Sequence, residues 1–157
     1  MPTTSFKPNL MRNLLLLAHL AAAVFWMGGM GFMLLALRGP LTEQLQPPAR
    51  LQLAAAVLRR FLAIAAVSVG VLLATGAYLL MSGGRGAPPG WHAMAGIGVL
   101  MALLFGHLYF GPWRRMQAAV TAADWPAAGQ RMGQINLIAK LNFALGWIAI
   151  AAVILWR

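Results

Sequence analysis

Four stretches of this chain are apolar for long enough to cross a bilayer, and short polar stretches separate them. A spanning helix needs about 20 apolar residues. Residues 13–37, 57–81, 91–110 and 135–156 meet that length. Proline and glycine stand where helices tend to stop. Arg38-Gly39-Pro40 follows the first run, Ser82-Gly83-Gly84 the second and Gly111-Pro112 the third. The pattern predicts an all-α, polytopic integral membrane protein. Its expected form is a four-transmembrane-helix bundle, with residues 1–157 as one membrane domain. The first run follows Lys7 and Arg12 like a signal peptide, but it exceeds the roughly 7–15 residues of a signal h-region and reads as a retained helix.

The connections are unequal. Residues 41–60, LTEQLQPPARLQLAAAVLRR, have a proline-bounded amphipathic start. Residues 113–131, WRRMQAAVTAADWPAAGQR, read as an extension of the third helix, a turn at Asp124-Trp125-Pro126 and a run into the fourth. Asp124 is read as turn chemistry in preference to a helix cap. The link between the second and third spans is short and glycine-rich.

Composition agrees. The chain is 61% hydrophobic and 9% charged, with twelve Lys and Arg against Glu43 and Asp124 alone. Such a net positive charge would suggest nucleic acid in a soluble protein. Here the basic residues flank apolar spans and face lipid headgroups, so nucleic acid is not an expected partner. No cysteine is present, which excludes thiolate metal sites and cysteine nucleophiles. Arg38, Arg50, Arg59, Arg60, Arg114, Arg115, Arg131 and Lys140 lie on or beside the two long connections. Lys7, Arg12, Arg85 and Arg157 lie on the other side. The positive-inside rule then predicts both termini outside a bacterial-type inner membrane.

Polar residues inside the spans are the candidate chemistry, because ionisable groups in a membrane are costly and functional by default. With His19 at zero on a helical wheel, Trp26 lies at about −20°, Met30 at about +20° and Met33 at about −40°. Span 1 therefore carries a stripe, with His19 in its outer half and thioethers below. In span 3, His92 and His107 share a broad face, about 22 Å apart in rise. His92 is level with His19, and His107 with Met30 and Met33. Thr75 and Ser68 share a face of span 2, with Tyr78 near its outer end. Lys140 and Asn142 fall near the inner end of span 4. Blander readings stand beside these: a neutral His19 bonded to a carbonyl, Ser68 or Thr75; methionines as packing; Lys140 snorkelling. Trp91, Trp113, Trp125 and Trp156 read as interfacial belts. Trp26 and Trp147 lie deeper, where they pack against helices or a ring system.

The spans hold no carboxylate, and no phosphate loop, nucleophile elbow or HExxH motif occurs. That points to a redox carrier or transporter rather than a hydrolase or transferase. Histidine and methionine suit haem iron, as His/His or His/Met pairs, and copper, as soft ligands.

The blocks LLLAHLAAAVFWMGGMGFMLLALR, RLQLAAAVLRRF, ATGAYLL, GWHAMAGIGVLMALLFGHLYFGPWRRM, AADWPAAGQRMGQI and NFALGWIAIAAV resemble, in order, short stand-alone members of the copper-resistance protein D (CopD) family. That resemblance implies a polytopic inner-membrane protein linked to copper uptake or resistance. His19 with Trp26-Met27-Gly28-Gly29, and Trp91-His92, are also similar to the more distant HemJ group, which is associated with haem b. Three functions follow. The first is electron transfer by haem b, held by His19 and His92 or by His107 with Met30 or Met33. The second is copper binding or transport through His19, Met30, Met33 and His107. The third is a non-catalytic accessory subunit. Geometry on the wheel puts haem first. The lipid bilayer is the required partner, joined by a redox partner or quinone in the haem reading; a homo-oligomer is a further expectation.

Overall fold

The computed structural model describes residues 6–83 and 86–156. Arg85, Arg157 and the side chain of Lys7, which enter the charge balance, lie outside the described residues. The elements are α1 (Phe6–Gly31), a π-helical segment (Phe32–Leu37), α2 (Arg38–Gln44), α3 (Pro47–Gly83), α4 (Pro89–Leu108), a second π-helical segment (Tyr109–Trp113), α5 (Arg114–Thr121) and α6 (Trp125–Leu155). They join into four rods, Leu10–Gln44, Pro47–Gly83, Pro89–Thr121 and Trp125–Leu155, each long and apolar enough to cross a membrane. The four-helix membrane bundle expected from the hydrophobic pattern is the fold.

The rods overrun the expected spans. Arg38-Gly39-Pro40 and Gly111-Pro112 do not end their helices. A proline ring in an α-helix lacks the N–H and collides with the carbonyl four residues back. A π-helical turn widens the backbone at that point. Pro112 lies within such a turn, and Pro40 follows one. The second span begins ten residues early, with Pro47 at the helix start, where a missing N–H costs nothing. The fourth likewise starts at Trp125 rather than 135. The long connections are therefore mostly helix. Their overhang packs into an apolar cluster of Leu51, Leu58, Leu62, Leu108, Trp113, Met116, Ala128 and Ile135. Trp113, expected in the interfacial belt, is a buried member of that cluster.

Chain reversal between α5 and α6 is tight. Asp124 N–H donates to Ala119 O (2.9 Å) and Ala123 N–H to Val120 O (3.2 Å), closing α5 with Ala123 in the left-handed region at φ 55°. Asp124 then caps α6: Ala127 N–H donates to its Oδ1 at 3.0 Å. The side chain is a helix cap, not only a turn residue. Two opposite outcomes are expected in thermal unfolding of detergent-solubilised protein. Ala123→Gly should raise stability by about 1 kcal/mol by relieving the left-handed strain. Asp124→Ala should lower it by about 0.5–2 kcal/mol through loss of the cap.

In the bundle α1 packs chiefly on α3, and α4 chiefly on α6. Lighter contacts of α3 with α4 and of α1 with α6 close the ring. Lipid supplies no hydrophobic drive for helix association, so close approach and internal polar bonds decide it. Gly29 lies against the Phe61 ring, Gly146 against the Met27 thioether, and Gly90 against the carbonyls of Ala152 and Trp156. Leu17, Val24, Leu35 and Leu155 face outward, as a lipid-bathed surface requires.

Candidate functional site

The stripe on α1 faces inward. His19 is half-buried, Trp26 and Met30 are buried, and Met33 packs against the cluster of the basic end. His19 meets α3. Its Nδ1 lies 2.8 Å from Thr75 Oγ1, and Thr75 Oγ1 lies 2.6 Å from the carbonyl of Val71 one turn earlier. A hydroxyl has one proton. Carbonyl oxygens only accept, so Thr75 donates to Val71 and accepts from His19 Nδ1–H. That relay sets the imidazole tautomer and leaves Nε2 with its lone pair. A ring N–H anchored in this way is the usual support of a ligating histidine. Gly76 makes the space: a Cβ there would stand 3.3 Å from His19 Cε1. Gly76 was not singled out in the sequence, although the stretch ATGAY held the signal. The hydrogen-bonded reading of His19 thus holds at Nδ1, and that bond does not use the lone pair on Nε2.

Thr75→Val removes the acceptor while keeping the shape. It should cost about 0.6 kcal/mol, the mean for polar contacts within membranes, and free the ring to change tautomer. Imidazole 15N chemical shifts would report that change. Thr75→Ser should keep the wild-type tautomer.

The other histidines are elsewhere. His92 is exposed, with Nδ1 3.3 Å from Pro88 O in its own turn. It lines an open groove of about 570 Å³ with Ala87, Pro89, Ala93 and Trp156. His107 is exposed too, in a groove of about 380 Å³ with Gly111, Pro112, Arg115, Gln134, Leu137 and Ile138. His19 does not line the first groove, nor Met30 or Met33 the second. Among the described residues no hydrogen bond joins two histidines, and no three His, Asp or Glu side chains converge on a metal-sized space. Wheel geometry gave depth and approximate face but not neighbour. His92 and His107 do lie near opposite ends of α4, yet both turn away from the bundle interior.

The remaining polar residues divide. Tyr78 and Lys140 are exposed. Asn142 is 2% exposed and donates from Nδ2 to the Met101 carbonyl at 3.3 Å. Trp26 meets Phe105 edge to face, with ring centroids 6.1 Å apart. Its contact is helix packing. Met30, Trp26, Met101, Ala65 and Val69 form the buried centre, with Met27 packed against it. Met27 and Met101 were not among the candidate ligands. They lie off the His19 stripe, and only the approach of α4 and α6 brings them in.

The fold and its inward polar groups define a multi-pass membrane protein with soft nitrogen and sulfur side chains in its interior. The chain belongs to the family described as Copper resistance protein D, whose model matches residues 55–156. That match covers α3's membrane part through α6. The His19 block lies before it. No curated protein and no solved structure matches the chain.

Proposed function

We propose that this protein binds copper within the membrane and passes it along the bundle. The observation that carries the reading is the inward line of His19 and Met30 on α1 and Met33 in the π-helical segment that continues it, headed by an imidazole whose Nε2 lone pair is free. Imidazole and thioether are soft enough for copper and poor ligands for magnesium or calcium. The description of the family, copper resistance, agrees with that donor set. The absence of intramembrane carboxylates fits a path for a soft ion better than a proton relay.

The copper reading now precedes haem. A haem iron with two axial ligands needs both on one cavity. The exposure of His92 and His107, each in a groove that its expected partner does not line, supports copper over the two-ligand haem b arrangements read from the sequence. The test is direct. Protein purified in mild detergent from copper-supplemented cells should contain copper, and His19→Ala should lose most of it together with copper-dependent changes in growth. A Soret band in wild type that shifts in His19→Ala would return haem to first place.

A further inference from the structure

We propose that the centre of the bundle is a site for monovalent copper, built from the thioethers of Met27, Met30 and Met101 and the side-chain oxygen of Asn142; this rests on the copper reading above. Three observations converge. Asn142 Oδ1 is buried and has no hydrogen-bond partner among the described residues. An unpaired acceptor at that depth is costly in any protein and more so in a membrane, where water is scarce. Its Nδ2 already donates to Met101 O. The amide is thereby fixed in orientation, with the oxygen left to accept from a donor or to coordinate a cation.

The second observation is sulfur. Gly146 lies one helical turn beyond Asn142 on the same face of α6. A Cβ there would run into the Met27 thioether and meet Met101 Cε at 3.4 Å. The missing side chain at Gly146 is what lets two methionines from different helices meet beside α6. Met30 and Met101, 3% and 5% exposed, belong to one buried cluster with Met27 against it. Three methionines from two helices and one amide oxygen from a third thus occupy the same level.

The third is charge. All four donors are neutral, and among the described residues no His, Asp or Glu cluster stands near them to offset a second charge. The cost of moving an ion out of water grows with the square of its charge, so a neutral cage in lipid favours a monovalent ion strongly over a divalent one. Thioethers select copper(I) on softness. The His19 imidazole, eight residues before Met27 and eleven before Met30 on α1, stands above this site as its entry ligand.

Full-length protein in detergent is titrated with copper(I) against a chromophoric copper(I) chelator, alongside Met27→Leu/Met101→Leu and Asn142→Leu. The Met→Leu changes nearly conserve volume and apolarity, which cores tolerate well, and Asn142→Leu keeps the branched outline of the amide while removing its polar atoms. Wild type is expected to bind one ion with sulfur in its X-ray absorption shell. The double variant should lose at least tenfold in affinity. Asn142→Leu should also bind more weakly, while its melting temperature stays equal or rises because an orphaned acceptor has gone. If the variants keep wild-type affinity and sulfur coordination, the central site is overturned while the copper function stands. The same holds if Asn142→Leu only raises the melting temperature, since Oδ1 then held a buried water. If wild type binds no copper(I) and His19→Ala changes no copper-dependent growth, both the site and the function fail.

Discussion

Replacing Gly90 with valine is expected to destabilise the protein by about 2–6 kcal/mol, the sum of a packing and a hydrogen-bond effect. Gly90 is the second residue of α4, and its N–H donates to Trp156 O at 2.9 Å. Helix starts leave N–H groups without partners, and helix ends leave carbonyls. Here the start of α4 satisfies the end of α6. A Cβ at Gly90 would collide with the Ala152 carbonyl oxygen and lie 2.6 Å from Trp156 O. Both obstacles are backbone, which cannot rotate aside as a side chain can. Overpacking costs about 1–3 kcal/mol, and separating the helices strands a buried donor for about 1–3 kcal/mol more. Folded proteins are stable by only about 5–15 kcal/mol in total. Gly96→Ala is the control. A Cβ there meets nothing within 4 Å, and removing a mid-helix glycine should stabilise by about 0.5–1 kcal/mol. Thermal unfolding of the two variants side by side checks the contrast. A Gly90→Val protein as stable as wild type would mean that the two helix ends do not meet there.

An all-or-none result is expected from reporters fused to the C-terminus. Alkaline phosphatase should be active and a fluorescent protein dark. Four antiparallel rods put both termini at one end of the bundle. The opposite end carries seven of the twelve basic residues, on α2, the start of α3, α5 and the start of α6, with Lys140 further along α6. Arg38, Arg59, Arg60, Arg114 and Arg115 are exposed there. Arg114 stacks over the Phe110 ring, 5.1 Å from its centroid. Positive charge near span ends is retained on the cytoplasmic side. A dark phosphatase and a bright fluorescent protein would invert the bundle and put His19 at the cytoplasmic face. The central methionine site, at mid-depth, is indifferent to that inversion.

Membership of the bundle was legible in the order of residues, because lipid imposes a local rule. Each backbone polar group must be satisfied within its own helix, so a long apolar run has few alternatives. Helical rotation likewise put His19, Trp26, Met30 and Met33 on one face, and all four do turn toward the interior. The same reasoning failed at Pro40 and Pro112, whose local signal is to stop a helix. Widened π turns, held within rods packed on their neighbours, carry the chain through. Partner choice was narrowed but not fixed by the sequence, which offered His19 a carbonyl, Ser68 or Thr75, and the structure selects Thr75. A wheel places His92 at the depth of His19 but says nothing of which neighbour each ring meets. Only tertiary packing set His19 on Thr75, turned His92 and His107 into open grooves, and brought Met27 and Met101 together over Gly146. Periodicity within a helix is local, whereas the contacts that make a site depend on which helices adjoin and how closely their backbones approach.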